Sequence, residues 1–132
     1  MRKIILDTNF LMIPLQFKVD IFSEIERICR FNYELNICNE SISELKSIIS
    51  KSAGKDKKAA EFGLKLIKLK SIKTIKSQKK HVDFAILENS DESTIVATQD
   101  ALLKKKLLEK KVSVIILRQK KYLQLIERKL YK

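Results

Sequence analysis

The chain has 132 residues, with 28 Lys and Arg against 16 Asp and Glu, a formal net charge of +12 and 45% hydrophobic residues. That length supports one domain that buries roughly two-thirds of its unfolded surface, and that apolar fraction excludes intrinsic disorder. With 2 Gly, 1 Pro and no apolar run near ~20 residues, fibrous, low-complexity and membrane-spanning classes are excluded too, and the charge points to a polyanionic partner.

Short β-branched runs alternate with stretches of helical period. Lys3–Leu6 reads as a strand that stops at Asp7, and the apolar stretch Ile4–Leu6 is too short for a secretory signal. A helix is expected over Val19–Arg30, a strand over Glu34–Cys38 and a helix over Ser41–Ser50. Ser52–Lys58 (SAGKDKK) is the most loop-like segment, running into an amphipathic stretch over Lys57–Leu69. A strand over Ile72–Ile75, a helix over Asp83–Asn89 and a strand over Thr94–Thr98 come next. The chain closes with a helix over Ala101–Lys110, a strand over Val112–Leu117 and a final helix over Lys121–Leu130. This alternation is the pattern of βαβ units. It predicts one domain over residues 1–132, a three-layer α/β/α fold around a doubly wound parallel sheet of about five strands. In such sheets the strand C-terminal ends share one edge, where ligands bind.

Cys29 and Cys38 fit no common zinc spacing, and His81 is the lone histidine, so a structural zinc site lacks ligands. Both thiols fall on apolar stretches and are expected in the core, which implies a reducing, cytoplasmic setting. Phe10, Phe17, Phe22 and Phe62 are expected there as well, and without an aromatic RNP-like pattern sequence-specific base stacking finds no support.

The charge is unevenly spread. Residues 46–80 carry 12 Lys against Asp56 and Glu61, and residues 104–132 carry 11 Lys and Arg against Glu109 and Glu127. Residues 1–45 are slightly acidic, and residues 81–103 hold five acids and no Lys or Arg. Two basic segments thus separate two acidic ones.

Four acids fall where a parallel sheet would gather them. Asp7 ends the first strand, Asp100 follows the fourth, Asp83 opens the helix before that strand, and Glu44 lies early in the helix after the second strand. Clustered carboxylates repel one another, so such a site is stable with divalent cations bound, and oxygen-only ligands select hard ions such as Mg²⁺ or Mn²⁺. Each acid also has a structural reading. Asp100 and Asp83 are good helix N-caps, and Ser41-Ile42-Ser43-Glu44 fits a capping box. Asp7 is the hardest to assign such a duty.

Ile5 to Asn9 (ILDTN) and Val96 to Asp100 (VATQD) resemble the opening and fourth-strand motifs of the PIN-domain nucleases. Leu6–Ile25 and the stretch from Val96 to Leu125, ending in ILRQKKYLQL, are similar to the branch that processes small-subunit ribosomal RNA in archaea and eukaryotes. The resemblance covers most of the chain and is weakest over residues 46–80. It implies a metal-dependent endoribonuclease using Mg²⁺ or Mn²⁺, leaving 5′-phosphate and 3′-hydroxyl ends, with catalytic and metal-binding roles for Asp7, Glu44, Asp83 and Asp100. It also implies supporting roles for Asn9 and Thr98, which match polar positions that hold the carboxylates. Two departures stand out: Phe84 and Gln99 occupy positions where relatives in this branch often carry Asp and Asn.

RNA, here a precursor of ribosomal RNA, is the partner so implied, with ribosome-assembly proteins and a homodimer left open and no membrane involved. Lys55, Lys57 and Lys58 in the glycine-containing loop, and Lys104 and Lys105 on the helix after Asp100, are candidate backbone contacts. The alternative for each lysine is a solvated helix face. Two other functions use the same fold: a non-catalytic RNA-binding assembly factor, and a PIN-type toxin ribonuclease, against which the Leu6–Ile25 block speaks. A phosphoacceptor receiver domain is rejected, because Ile75 and Lys76 stand where its acceptor Asp belongs.

Overall fold

The computed structural model describes residues 1–79 and 81–127. Its sheet has six strands: β1 (Arg2–Leu6), β2 (Tyr33–Cys38), β3 (Lys73–Ile75), β4 (Ile95–Ala97), β5 (Ser113–Arg118) and β6 (Tyr122–Ile126). The spatial order is β3-β2-β1-β4-β5-β6. The first five strands run parallel, and β6 pairs antiparallel with β5. Helices are α1 (Ile13–Phe17), α2 (Ile21–Ile28), α3 (Asn39–Lys51), α4 (Gly54–Leu69), α5 (Val82–Glu88) and α6 (Ala101–Glu109), with a 3-10 turn over Thr8–Met12.

Alternation along each strand divides the core between the two faces of the sheet. Ile4, Leu6, Ile95, Ala97 and Ile115 pack with Ile13, Ile21, Ile25, Leu45 and Ala60 of α1 to α4. Ile5, Val96, Val114 and Ile116 pack with Ala85, Ile86, Leu103 and Leu107 of α5 and α6. This is the doubly wound three-layer α/β/α arrangement expected from the alternation. Strands buried on both faces are continuous hydrophobic runs, and Ile4, Ile5 and Leu6 are fully buried. Cys29 and Cys38 are free and buried, and burial pushes their thiols up to about 11 and about 12.

The sixth strand replaces the helix expected over Lys121–Leu130, whose residues 128–130 lie outside the described residues. The apolar spacing there is period 2, with Leu123 buried between exposed Tyr122 and Gln124. Gln119 and Lys120 take left-handed φ values of 52° and 55°, which turn the chain straight back along β5. On the outer edge of β6, Glu24 Oε1 accepts from Leu123 N at 2.9 Å and Arg27 Nη2 donates to the Leu123 carbonyl at 3.1 Å. Side chains of α2 thereby satisfy backbone groups of an edge strand.

Other boundaries also move. The loop expected over Ser52–Lys58 is largely the first turn of α4, because Gly54 at φ +63° lets the chain reverse within two residues of the end of α3. Lys55, Lys57 and Lys58 are therefore helical and exposed, not loop residues. In the same helix, Gly63 lies so close to the 3-10 turn that a Cβ would stand 3.0 Å from the Leu11 carbonyl oxygen. Phe10 is fully buried as expected and Phe17 and Phe22 are half-buried, whereas Phe62 is 38% exposed.

Strand order reverses between β1 and β4, so the chain winds outward in opposite directions from that point. Loops leaving the two strands part there and open a crevice at their C-terminal ends. Asp7 and Asp100 both follow strands that end at this crevice.

Candidate active site

Asp7 is fixed at both carboxylate oxygens. Its backbone N–H donates to the Ala97 carbonyl at 2.9 Å, which carries the β1–β4 pairing one residue past the strand. Its Oδ1 accepts from Thr8 N at 2.8 Å, capping the 3-10 turn, and its Oδ2 accepts from Thr98 Oγ1 at 2.7 Å. Thr98 is fully buried, and its Oγ1 accepts in turn from Asp100 N at 3.0 Å. A single hydroxyl thus ties together the loops that leave β1 and β4. Asp100 Oδ1 accepts from Leu102 N and Leu103 N at 2.9 and 3.0 Å, so this acid does cap α6.

Asp7 is only 5% exposed, and its pKa is raised to about 6. Burial is the main cause, opposed by the Thr98 and Thr8 hydrogen bonds, and the charges of Asp83 and Glu44 push it up further. Asp83, half-buried in the first turn of α5, is also raised, by burial and then by Asp100, while Lys106 and His81 pull it down. The charges of Asp83 and Glu44 thus act on Asp7, and that of Asp100 on Asp83. Among the described residues, however, no three Asp, Glu, His or Cys side chains converge as a ready ligand set.

The open side of this edge is a cleft of about 700 Å³ lined by Glu40, Glu44, His81, Asp83, Phe84 and Lys106, among others. The segment after β3 closes over the start of α3: Asn39 Oδ1 accepts from Ser77 N at 2.8 Å and Glu40 Oε2 from Lys79 N at 3.0 Å. Glu40 Oε1 is buried with no partner.

Two structural readings of the acids fail. The capping box Ser41–Glu44 does not form: α3 begins at Asn39, so Ser41 lies inside it, buried and without a hydroxyl partner, and Glu44 is exposed. Nor does Asp83 cap α5, whose N-cap is His81. The expected partnership of Asn9 with the carboxylates is also replaced. Its Oδ1 accepts from Gln99 N and its carbonyl from Gln99 Nε2, both at the long distances of 3.5 and 3.4 Å.

Among the lysines, Lys104 borders a smaller cleft with Thr98, Gln99 and Arg118, beside the Asp7–Thr98–Asp100 chain. Lys105 is exposed on α6, and Lys55, Lys57 and Lys58 line neither cleft. Sequence reasoning passed over Glu40 and Lys106. Glu40 stands four residues before Glu44, on the same helix face, a signal present in the spacing. Lys106 lies on the lysine-rich helix after Asp100, and its nearness to Asp83 depends on how α5 and α6 pack.

The family profile described as PIN like domain matches residues 4–120. The chain belongs to the PIN-like domain family. A relative similar along nearly its whole length is ribonuclease VapC4 of Methanocaldococcus jannaschii, 35% identical over 127 residues that cover 95% of this chain and 97% of that protein. The PIN domain endonuclease Utp24 shares the fold, with a TM-score of 0.72 at 16% identity over 95% of this chain and 93% of that one. No helix of the described residues is long and apolar enough to cross a membrane.

Proposed function

We propose that this PIN-like protein is an endoribonuclease that hydrolyses phosphodiester bonds at the edge formed by Asp7, Glu44, Asp83 and Asp100, with Mg²⁺ or Mn²⁺. The observation that carries this is Asp7. A carboxylate at the switch point, pushed up by burial and then by two further acids, gains from a cation beside it. The donor set is oxygen only, which suits a hard divalent ion. When bound, such an ion supplies an acidified water and neutralises charge at the scissile phosphate.

The remaining work falls to the chain's own residues. The Thr8 N–H and the Thr98 hydroxyl hold the Asp7 carboxylate in one orientation while each oxygen keeps capacity for a second contact. Asp100 is held in place by its cap, and Glu44 and Asp83 face the cleft where a phosphate can enter. Lys106 at the rim offsets the acids, and the two basic segments draw the polyanion in.

RNA as the substrate is supported by the 35% identical relative, a ribonuclease by name. Two targets follow from the family resemblance. One is a ribosomal RNA precursor, cleaved in the cytoplasm. The other is the RNA cut by a PIN-type toxin, which the VapC4 likeness favours as much. Incubating the protein with small-subunit precursor RNA and with bulk RNA tests both. Cleavage that needs Mg²⁺ or Mn²⁺, stops with a chelator and disappears in Asp7→Asn is the expected result. A discrete precursor cut selects processing, and growth arrest relieved by a neighbouring gene's product selects the toxin. Salt-dependent RNA binding without any cleavage would instead make the chain a non-catalytic assembly factor.

A further inference from the structure

Phe84 sits one residue after Asp83 in the first turn of α5, with 57% of its surface in water. Its neighbours Val82, Ala85 and Ile86 fill the core, so the helix turns Phe84 away from the sheet. What sets this exposed ring apart from single surface hydrophobics elsewhere is its place at the wall of the acidic cleft. Its aromatic contact is the His81 ring, with centroids 5.9 Å apart and planes tilted by 57°. Both rings line the acidic cleft, together with Lys106. Lys79, the other lysine lining the cleft among the described residues, is already paired with Glu88 at 3.0 Å.

We infer that Phe84, with His81 beside it, is the platform on which an unpaired RNA base next to the scissile phosphate stacks, while Lys106 meets a flanking phosphate. This rests on the ribonuclease reading and names a residue that would choose the form of RNA admitted. Lys106 and Phe84 line the same cleft, so a nucleotide whose phosphate meets Lys106 there finds an exposed ring at the same wall for its base. Stacking on an aromatic face tolerates any base, since each has a π-face. Bases in an A-form duplex keep their faces covered by neighbours, so the platform accepts single strands, loops and ends. The cationic partner fits as well: Lys106 already interacts with Asp83, and a phosphate entering between them would meet a positive charge at the rim.

The test uses short single-stranded RNAs, each carrying 2-aminopurine at one position, titrated with the Asp7→Asn protein so that no turnover intervenes. At one position or more, binding should quench the fluorescence. Adding Phe84→Ala should remove that quench and weaken binding by about tenfold, while Phe84→Trp should keep both. Lys106→Gln should leave the quench at saturation intact but lower the salt slope of binding by roughly 0.7. Unaltered melting temperatures of the Phe84 variants would show that the fold is untouched. Full quench and full affinity in Phe84→Ala, or no binding of single strands at all, overturns the platform. A Phe84→Ala protein that loses only a protein partner, with RNA binding unchanged, would show that the ring serves a protein interface and overturns it too. Failure of the ribonuclease reading is separate: there the parent protein does not cleave RNA, whatever the quench shows.

Discussion

Asp7 and Glu44 belong to the same acidic edge, yet opposite means hold them there. Asp7 is buried at the end of a central strand, with both oxygens fixed by Thr8 and Thr98 and its pKa lifted to about 6. Glu44 stands exposed on α3 at the wall of an open cleft. In the proposed site, one half would thus be preorganised at a cost in folding energy, and the other would be free to adjust as substrate or ion arrives. The difference teaches that a buried, raised acid is the more informative marker of function, because a stability-driven sequence would have replaced it.

The largest effect should separate the two halves by activity. Asp7→Asn is expected to reduce RNA cleavage by about a thousandfold or more, measured in single turnover. The same substitution should stabilise the fold at pH 7 by up to about 3 kcal/mol, seen in denaturant midpoints. The sign follows from the raised pKa: ionising Asp7 opposes folding, fully above about pH 6 and not at all below its ordinary 3.8. The stability gap between Asp7→Asn and the parent should therefore narrow as the pH falls from 7 towards 4. A gap that widens in that range would contradict the burial of Asp7. Mn²⁺ should raise the melting temperature of the parent and leave that of Asp7→Asn unchanged.

Thr98→Val tests the link between the two strand ends. It leaves Asp100 N and Asp7 Oδ2 without their shared hydroxyl, so stability should fall by about 1–3 kcal/mol and cleavage by roughly 10- to 100-fold. Glu44→Gln, on the open half, should lower cleavage by about tenfold and change stability by less than about 0.5 kcal/mol. A large stability loss there would mean that Glu44 is held as tightly as Asp7. Smallest of all, Lys104→Gln should leave the rate at saturating RNA unchanged and lower the salt slope of binding by about 0.7.

Much of this was legible in the sequence, for reasons that differ by residue. Ile4 to Leu6 and Val112 to Ile116 announce strands because both faces of a parallel sheet are buried, and that leaves runs rich in β-branched residues. Asp7 and Asp100 were placed by the same logic, since a polar residue ending such a run marks the strand's C-terminal end. The final strand was not legible as one. Leu123 and Leu125 alternate over too few residues to outweigh the flanking lysines, and the left-handed turn at Gln119 and Lys120 uses no glycine. The short α1 and the 3-10 turn before it escaped for want of length, and the early start of α4 because its glycine reads as a loop. At the cleft, His81 and Lys106 come together through the packing of α5 and α6, which no spacing along the chain encodes, whereas Glu40 is marked by its spacing of four from Glu44.

The most direct measurement is anomalous diffraction from a crystal soaked in Mn²⁺. Asp7 is expected to ligate an ion, joined by one or more of Glu44, Asp83 and Asp100. An ion bound only elsewhere, or none at a concentration that supports RNA cleavage, would contradict the assignment of this edge as the catalytic centre.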